Sequence, residues 1–250
     1  MSAKPVKAER LDKLLTCLGY GLRNDVRFWI KDGLITIDGE LAKSPSQKVT
    51  PDQVLLMEKP LDHPYGLTVI YHKPLDTVCS RKEDGRLIYA DFPERWIGRK
   101  PALSSVGRLD KDTSGLLIIT DDGQLNHQLT SPKKHISKTY AVTLDRALNG
   151  TEAEEFSNGK LVLEGEEKPC LPAELTIHDE KHVSLVLHEG RYHQVRRMFA
   201  AVGNHVEALQ RTHIGALSLD DTALAPGEYR TLTGEELITL VKPSPIDPQL

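Results

Sequence analysis

Residues 105–122, SVGRLDKDTSGLLIITDD, combine a charged loop with an apolar run. Gly107 and Gly115 flank the charged residues, and glycine adopts backbone conformations that a Cβ forbids, so the segment predicts a tight loop. The partly β-branched run 116–120 predicts a buried strand after it. A carboxylate held on a constrained loop beside Arg108 is a candidate nucleophile or base, and Asp110 occupies that position.

Two other interpretations of this loop compete with a catalytic one. A solvated turn would use the same aspartates to cap backbone amides. A calcium loop would place oxygen ligands at positions 1, 3, 5 and 12 and a glycine at position 6, which correspond to Asp110, Asp112, Ser114, Asp121 and Gly115. An EF-hand also requires flanking helices and a bidentate glutamate at position 12. The chain has helix breakers upstream and an aspartate at position 12, so we expect no metal site.

Composition limits the class of protein. With 250 residues and 39% hydrophobic content, the chain is long enough for one large domain and a small one. Its three cysteines show no CxxC spacing, and it contains neither a membrane-length apolar run nor a signal-peptide pattern, so we expect a cytoplasmic protein. A net charge of −4 argues against a nucleic-acid-binding protein unless positive charge is concentrated locally.

The first 60 residues predict a small module. Leucines at helical spacing in residues 9–18 indicate one amphipathic helix, and a second helix is expected from about Asn24, as its cap, to Lys31. The run 34–37 predicts a strand, and Asp38-Gly39 predicts a hairpin. The second helix carries three basic residues four positions apart: Arg23, Arg27 and Lys31. Such a stripe is more often a solvated face than a binding surface.

A Pro/Gly-rich segment predicts the domain boundary. We expect a module at 1–60, a linker at 61–66, a larger domain at 67–243 and a disordered tail at 244–250. Residues 89–101 are expected to form a loop. The patterns predict strands at 67–71, 139–144, 161–163, 173–177 and 183–187, and helices at 151–157 and 194–202. Short strands with few helices predict an α+β domain built on a mixed or antiparallel sheet.

Two segments of the larger domain concentrate positive charge. The first precedes Tyr140 and contains Lys133, Lys134, His135 and Lys138. The second contains Arg191, His193, Gln194, Arg196 and Arg197, with Arg211 and His213 following. If they gather at the loop, these residues would form a phosphate-binding channel with an aromatic floor, as unstacked nucleotides require. Tyr140 is equally well explained as a core aromatic residue.

The motifs GRLDKDTSGLLIITDDG, SPKKHISKTYAVTL, EGRYHQVRRMFAAVGNHV and LAPGEYRTLT occur in this order. They resemble those of the RsuA/RluB/E/F family of pseudouridine synthases, and the N-terminal module resembles the RNA-binding module of ribosomal protein S-four. The resemblance implies that Asp110 is the catalytic residue. It also implies that Arg108 helps to extrude the uridine and that Tyr140 stacks on the flipped uracil.

The same resemblance implies further roles. A basic residue of the third motif, either Arg191 or Arg196, is expected to pair with Asp110 and keep it ionised. The other residues that we expect to bind substrate are Lys138, His193, Gln194 and Arg197, with Arg23, Arg27 and Lys31 on the N-terminal module. The reaction breaks and rejoins a glycosidic bond within one molecule, so it implies no cofactor. Base flipping is required because the reacting bond is inaccessible within a stacked helix.

The third motif also bears on the substrate. Family members that act on the large subunit tend to carry Asn-Arg where this chain has Tyr192-His193, so we expect a uridine of small-subunit (16S) ribosomal RNA. The alternatives are a large-subunit uridine and a non-enzymatic RNA-binding assembly factor in which Asp110 is only structural. The expected partner is ribosomal RNA, free or in a partly assembled subunit, with no membrane. We expect a monomer, because the sequence lacks an apolar interface stripe.

Overall fold

The computed structural model describes residues 7–61, 66–80, 82–131, 134 and 136–241. The chain divides into two compact units. The first comprises the chain up to Thr68 with Tyr89–Ser104 and Ile119–Gly123, and the second comprises Val69–Ile88, Ser105–Ile118 and the chain from Gln124 onward. The expected tail, most of the expected linker, and Lys133 and His135 lie outside the described residues. The domain boundaries inferred from sequence stay predictions.

The N-terminal part of the first unit is built from two helices and six short strands: β1 Glu9–Arg10, α1 Leu11–Cys17, α2 Arg23–Lys31, β2 Ile35–Ile37, β3 Glu40–Leu41, β4 Lys48–Val49, β5 Val54–Leu56 and β6 Lys59–Pro60. Strands pair antiparallel in the order β3-β2-β5-β6, and β1 pairs with β4. Both predicted helices are confirmed. Their core is formed by the buried leucines of the predicted apolar face, Leu11, Leu14, Leu15 and Leu18, and by Val26.

Local chemistry corrects one boundary and explains the hairpin. Helix α2 begins at Arg23, so Asn24 lies inside its first turn and is not the cap. The backbone N–H of Leu22 donates instead to Asp25 Oδ2 at 2.7 Å, which satisfies a free amide at the helix start.

Asp38 and Gly39 have φ values of 50° and 85°, so the chain reverses between β2 and β3 through left-handed backbone, as the Asp-Gly pair predicts.

Residues 89–101 are not a loop, contrary to the sequence prediction. They contain a 3₁₀ turn at Ile88–Asp91 and helix α3, Glu94–Ile97. Trp96 is buried and stacks on the ring of Phe92, with 6.1 Å between centroids, so apolar packing orders the segment. In the same unit Arg99 Nη2 contacts Asp121 Oδ2 at 2.7 Å, and both side chains are almost fully buried.

The second unit contains the remaining strands and helices: β7 Thr68–Lys73, β8 Thr77–Val78, β9 Arg86–Leu87, β10 Ser104–Ser105, β11 Thr113–Thr120, α4 Gly123–Thr130, β12 Lys138–Leu144, α5 Glu152–Ser157, β13 Glu174–Ile177, β14 His182–Leu187, α6 Gln194–Ala201, β15 Val206–Ile214, β16 Leu217–Ser218, β17 Tyr229–Thr231 and α7 Gly234–Val241. A few of these residues, at the ends of β7, β10 and β11 and the start of α4, fall in the first unit.

In the described part of the chain, the main sheet runs β13-β14-β12-β15-β11-β7-β17, with β10 on β11 and β16 on β15. Strands β11 and β15 are parallel, whereas β12 is antiparallel to both of its neighbours. The predicted α+β class with a mixed sheet is confirmed.

Two features of this unit differ from the sequence prediction. Residues 161–163 form no strand. Leu163 is buried from a loop, and the carbonyl of Leu161 accepts its hydrogen bond from the N–H of Cys170 in that loop, at 2.7 Å. Strand β15 and helices α4 and α7 were not predicted. Helix α6 is confirmed and buries Val195, Met198 and Phe199. None of the described helices is long and apolar enough to cross a membrane.

Replacement of Gly115 tests the close approach between β11 and β15. A Cβ at Gly115 would lie 2.3 Å from the carbonyl oxygen of Arg211, and its φ of +113° disfavours any side chain. We expect Gly115→Ala to lower the free energy of unfolding by more than about 3 kcal/mol. Gly123→Ala is the control, because a Cβ there meets no atom within 4 Å, and it should change stability by less than about 0.5 kcal/mol. Equal stability of the two variants in thermal unfolding would contradict the close contact.

Candidate active site

The loop between β10 and β11 carries Asp110. Gly107 opens it with a φ of 69°, and the N–H of Thr113 donates to Asp110 O at 3.1 Å, which closes a turn at the start of β11. The Asp110 side chain is half-buried. Both glycines expected to shape this segment, Gly107 and Gly115, have positive φ values. The loop therefore holds a partly solvated carboxylate on a fixed backbone.

Lys73, the last residue of β7, supports this loop from within the protein. It is 0% exposed, and its Nζ donates to three carbonyl oxygens: Pro74 at 3.1 Å, Asp110 at 3.0 Å and Thr113 at 2.9 Å. Burial lowers the pKa of Lys73, although the nearby Cys79 and Asp110 oppose the shift. An ammonium group has three donors, and here all three are used on backbone. The end of the strand and both ends of the Asp110 turn are thus tied to one group.

His193 faces the Asp110 carboxylate. Its Nε2 lies 3.3 Å from Asp110 Oδ1. His193 precedes helix α6 and has a left-handed backbone, with φ 47°. Its ring stacks on that of Tyr192, with 3.9 Å between centroids and an interplanar angle of 16°. The imidazole is therefore held against the carboxylate both by the helix start and by an aromatic neighbour.

The structure gives Arg191 and Arg196 partners other than Asp110. Arg196 Nη2 lies 2.9 Å from Asp112 Oδ2, and its Nη1 donates to the carbonyl of Val206 at 2.8 Å. Arg191 Nε donates to Glu189 Oε2 at 3.1 Å. The expected pairing of either arginine with Asp110 is therefore absent from the described contacts, because carboxylates closer in space take both guanidinium groups.

Gln194 and Arg197 are also engaged inside the protein. Gln194 Oε1 accepts from the Arg191 N–H at 2.9 Å, and its Nε2 donates to Glu189 Oε1 at 2.8 Å. Arg197 Nη1 donates to Glu166 Oε1 at 3.1 Å. These groups fix the start of α6, and hence the position of His193. Elsewhere, on the Asp110 loop, Arg108 forms an ion pair with Glu83, and both side chains are exposed.

Tyr140 and Lys138 lie on β12 beside Arg211 of β15, which is paired with Tyr140. The Tyr140 side chain is 9% exposed. Lys138 Nζ donates to Ile136 O at 3.1 Å, and burial together with the charge of Arg211 lowers the pKa of Lys138 to about 8. Arg211 is 2% exposed; its Nε donates to Leu116 O at 2.8 Å, but its buried Nη2 has no partner among the described residues. Two cations therefore lie close together beside the tyrosine.

The calcium interpretation is wrong. Ser114 and Asp121 lie at opposite ends of β11, seven residues or roughly 23 Å apart, and Asp121 is bound to Arg99. One ion cannot contact both. Within the described parts of the chain, no group of three or more His, Cys, Asp or Glu side chains is arranged to hold a metal ion.

The expected RNA-binding cations of the N-terminal module share the outer face of α2. Arg23, Arg27 and Lys31 are all exposed, whereas Val26 on the opposite face is fully buried. None of the three forms a salt bridge with another described residue. The helix therefore presents a row of three exposed positive charges, with Asp25 within the helix and Asp32 directly after it.

Comparisons with known proteins identify the family of this chain. The family model described as RNA pseudouridylate synthase matches residues 67–201, and the S4 domain model matches residues 9–55. The chain belongs to the RNA pseudouridylate synthase family. The chain is 42% identical over 236 residues to the ribosomal small subunit pseudouridine synthase A of Yersinia pestis, covering 94% of this chain and 99% of the relative. The Escherichia coli K12 protein of the same name is 42% identical over 217 residues, covering 85% and 91%.

A solved structure supports the same family. A crystal structure of a pseudouridylate synthase is 40% identical, with a TM-score of 0.66, and the match covers 93% of this chain and 99% of that one. The protein is thus an RNA pseudouridine synthase, and the predicted family is confirmed. Lys73 is the site residue that sequence reasoning missed. Its signal was a lysine ending the strand Thr68–Lys73, whose residues are all buried.

Removal of the Lys73 ammonium tests its support of the loop. Lys73→Met keeps much of the side-chain volume but removes three hydrogen bonds from a charged donor to backbone carbonyls, so we expect a loss of at least about 2 kcal/mol in unfolding free energy. Turnover should also fall, because Asp110 loses its fixed backbone. The control Lys111→Met removes an exposed lysine of the same loop and should change stability by less than about 0.5 kcal/mol. Matching chemical denaturation curves for the two variants would contradict this role.

The lowered pKa of Lys138 predicts a pH-dependent stability. Because the folded-state pKa of about 8 lies below the ordinary lysine pKa of 10.5, the unfolded chain binds more protons between these values, and stability from this group rises with pH. The cost of the buried charge is fully present below pH 8. Lys138→Met should therefore melt at a higher temperature than the parent at pH 7, and this advantage should disappear by about pH 10.5. A melting-temperature difference that stays constant from pH 7 to pH 10.5 would contradict the shift.

Proposed function

We propose that this synthase converts a uridine of small-subunit (16S) ribosomal RNA to pseudouridine, with Asp110 as the catalytic residue. The observation that carries the proposal is 42% identity, over nearly the full length of both chains, to enzymes named for the ribosomal small subunit. The site residues are consistent with it: Asp110 lies on a rigid loop, is partly solvated, and faces an imidazole. Ribosomal RNA, free or in a partly assembled small subunit, is the proposed partner.

The chemistry needs a positioned carboxylate and a detached base. The bond between C1′ of the ribose and N1 of uracil breaks, and a bond from C1′ to C5 forms. C5 loses its proton and N1 gains one, so atoms balance without a co-reactant. The Asp110 carboxylate acts as nucleophile or base in this exchange. His193 lies close enough to hold the carboxylate oriented, and Lys73 fixes the backbone beneath it.

The surrounding residues are assigned to substrate binding. We assign Tyr140 to stacking on the flipped uracil and Arg108 to the RNA strand beside it. Lys138 lies two residues before Tyr140 on β12 and supplies positive charge at the same place. The arginines of α6, together with Gln194, position His193, so we assign them an indirect part in substrate binding. The basic face of α2 contributes affinity through phosphate contacts.

The cellular state of the protein follows from the same proposal. An enzyme acting on ribosomal RNA during subunit assembly would work in the cytoplasm, and we propose that it acts as a monomer. Sedimentation of the purified protein at micromolar concentration tests the monomer, because a concentration-dependent increase in mass would contradict it.

Mapping of pseudouridine tests the substrate. Ribosomal RNA from cells with and without the gene should differ at one uridine of the small-subunit RNA, and purified protein should restore the modification in vitro. Free transcript and partly assembled subunits, compared at equal concentration, show which of them is the substrate. A difference confined to the large-subunit RNA would replace the proposed substrate but keep the reaction.

Replacement of the loop carboxylates tests the assignment of Asp110. Asp110→Asn keeps the size and leaves the Lys73 contacts, which use the backbone, so folding and RNA affinity should persist while turnover falls more than about 1,000-fold. Asp112→Asn weakens one exposed ion pair with Arg196 and should cost less than about 10-fold. Both are measured as pseudouridine formed per enzyme in single-turnover assays. Normal turnover by Asp110→Asn, or equal loss in both variants, would remove the assignment.

A further inference from the structure

An exposed aromatic ring lies at the edge of the basic face of α2. Phe28 is 63% exposed, although the next residue, Trp29, packs against the hydrophobic core of the module. Phe28 has no ring contact with any other described residue. On the surface of a helix its neighbours lie three and four positions away. Asn24 and Asp25 occupy these positions on one side, and Lys31 and Asp32 occupy them on the other; all but Asp25 are exposed.

The neighbours of Phe28 distinguish it from an ordinary surface residue. Single exposed apolar side chains are common and need no explanation. Phe28, however, lies beside Lys31, at the edge of the row formed by Arg23, Arg27 and Lys31, which spans nine residues or roughly 12 Å of helix. Surfaces that bind single-stranded nucleic acid combine positive charge along the backbone with aromatic rings on which bases stack. The exposed surface of the helix presents both kinds of group next to one another.

We propose that Phe28 stacks on an unpaired base of RNA whose phosphates lie along Arg23, Arg27 and Lys31. The N-terminal module would then select a single-stranded or bulged segment, whereas phosphate contacts alone would accept any RNA. This inference rests on the proposed function, since it assumes that the RNA bound here belongs to the substrate.

Charge favours RNA over a protein as the occupant of this face. A second copy of the chain docked here through the same face would oppose three positive charges with three more. An RNA strand instead supplies negative charge at the cations and a flat apolar surface at the ring. An acidic protein is the other ligand that could bind this face, and its binding is measured together with that of RNA.

Three variants of the full-length protein separate stacking from simple apolar contact. Phe28→Leu keeps an apolar side chain but removes the ring, and Phe28→Tyr keeps the ring. Leu41→Ala is the control, because Leu41 is similarly exposed, at 60%, but lies on β3. The probes are an eight-nucleotide single-stranded RNA with a central 2-aminopurine and a blunt RNA duplex of equal length.

Stacking predicts a specific pattern of binding and fluorescence. The parent protein and Phe28→Tyr should quench the 2-aminopurine on binding, and Phe28→Leu should lose the quenching and bind the single strand roughly 5- to 100-fold more weakly. The salt dependence of Kd should not change, because no cation is removed, whereas Arg27→Gln should flatten it. Duplex binding should be the same for the parent and Phe28→Leu, and Leu41→Ala should match the parent throughout.

Two outcomes would overturn the proposal. Binding and quenching by Phe28→Leu equal to those of the parent would exclude stacking at this position. Alternatively, Phe28→Leu could leave RNA binding intact but abolish self-association or the binding of an acidic protein, which would assign the ring to a protein contact. Because these measurements report binding and not turnover, failure of the proposed rRNA reaction would appear separately, as a parent protein that makes no pseudouridine.

Discussion

The candidate active site depends on one buried positive charge. Lys73 lies fully buried at the end of β7, and its ammonium donates to the carbonyls of Pro74, Asp110 and Thr113. Burying an ammonium is costly unless every donor is satisfied, so the loop must keep the one conformation that supplies these oxygens. The same constraint fixes the backbone of Asp110, while its half-buried carboxylate faces His193. A rigid loop with a solvated carboxylate is what transfer chemistry on a large substrate requires.

The second support comes from the start of α6, where charges are neutralised locally. Arg191 and Gln194 both bind Glu189, and Arg196 binds Asp112. These bonds orient the left-handed residue His193 toward Asp110. Arginines beside acidic residues in a protein interior pair with the nearest well-oriented carboxylate, since leaving either charge unpaired is costly. The basic motif therefore acts mainly on the position of the helix, and the imidazole is the group that meets the carboxylate.

The parts predicted correctly from sequence are those that depend on local patterns. Three local patterns were predicted correctly because each is compatible with one local structure. They are the leucine spacing of α1, the apolar face of α6 and the Asp38-Gly39 turn. The 161–163 run failed because an apolar triplet also fits a buried loop. The partners of Asp110 could not be predicted, because an ion pair between distant segments depends on where each guanidinium finds its nearest carboxylate. Lys73 was missed for the same reason: its role depends on a loop 37 residues away.

The exposed positive charges that could attract RNA lie on other residues than those proposed to carry out the reaction. The chain carries a net charge of −4, so long-range attraction of RNA must come from local groups of cations. Arg191, Arg196 and Arg197 are bound to Glu189, Asp112 and Glu166, and so contribute little net field. Among the described residues, the three cations on the outer face of α2 form no salt bridge, and neither do Lys138 and Arg211. Under the proposed function, the exposed helix α2 would meet RNA in solution, and the half-buried Lys138 and buried Arg211 would meet only a nucleotide inserted beside Tyr140.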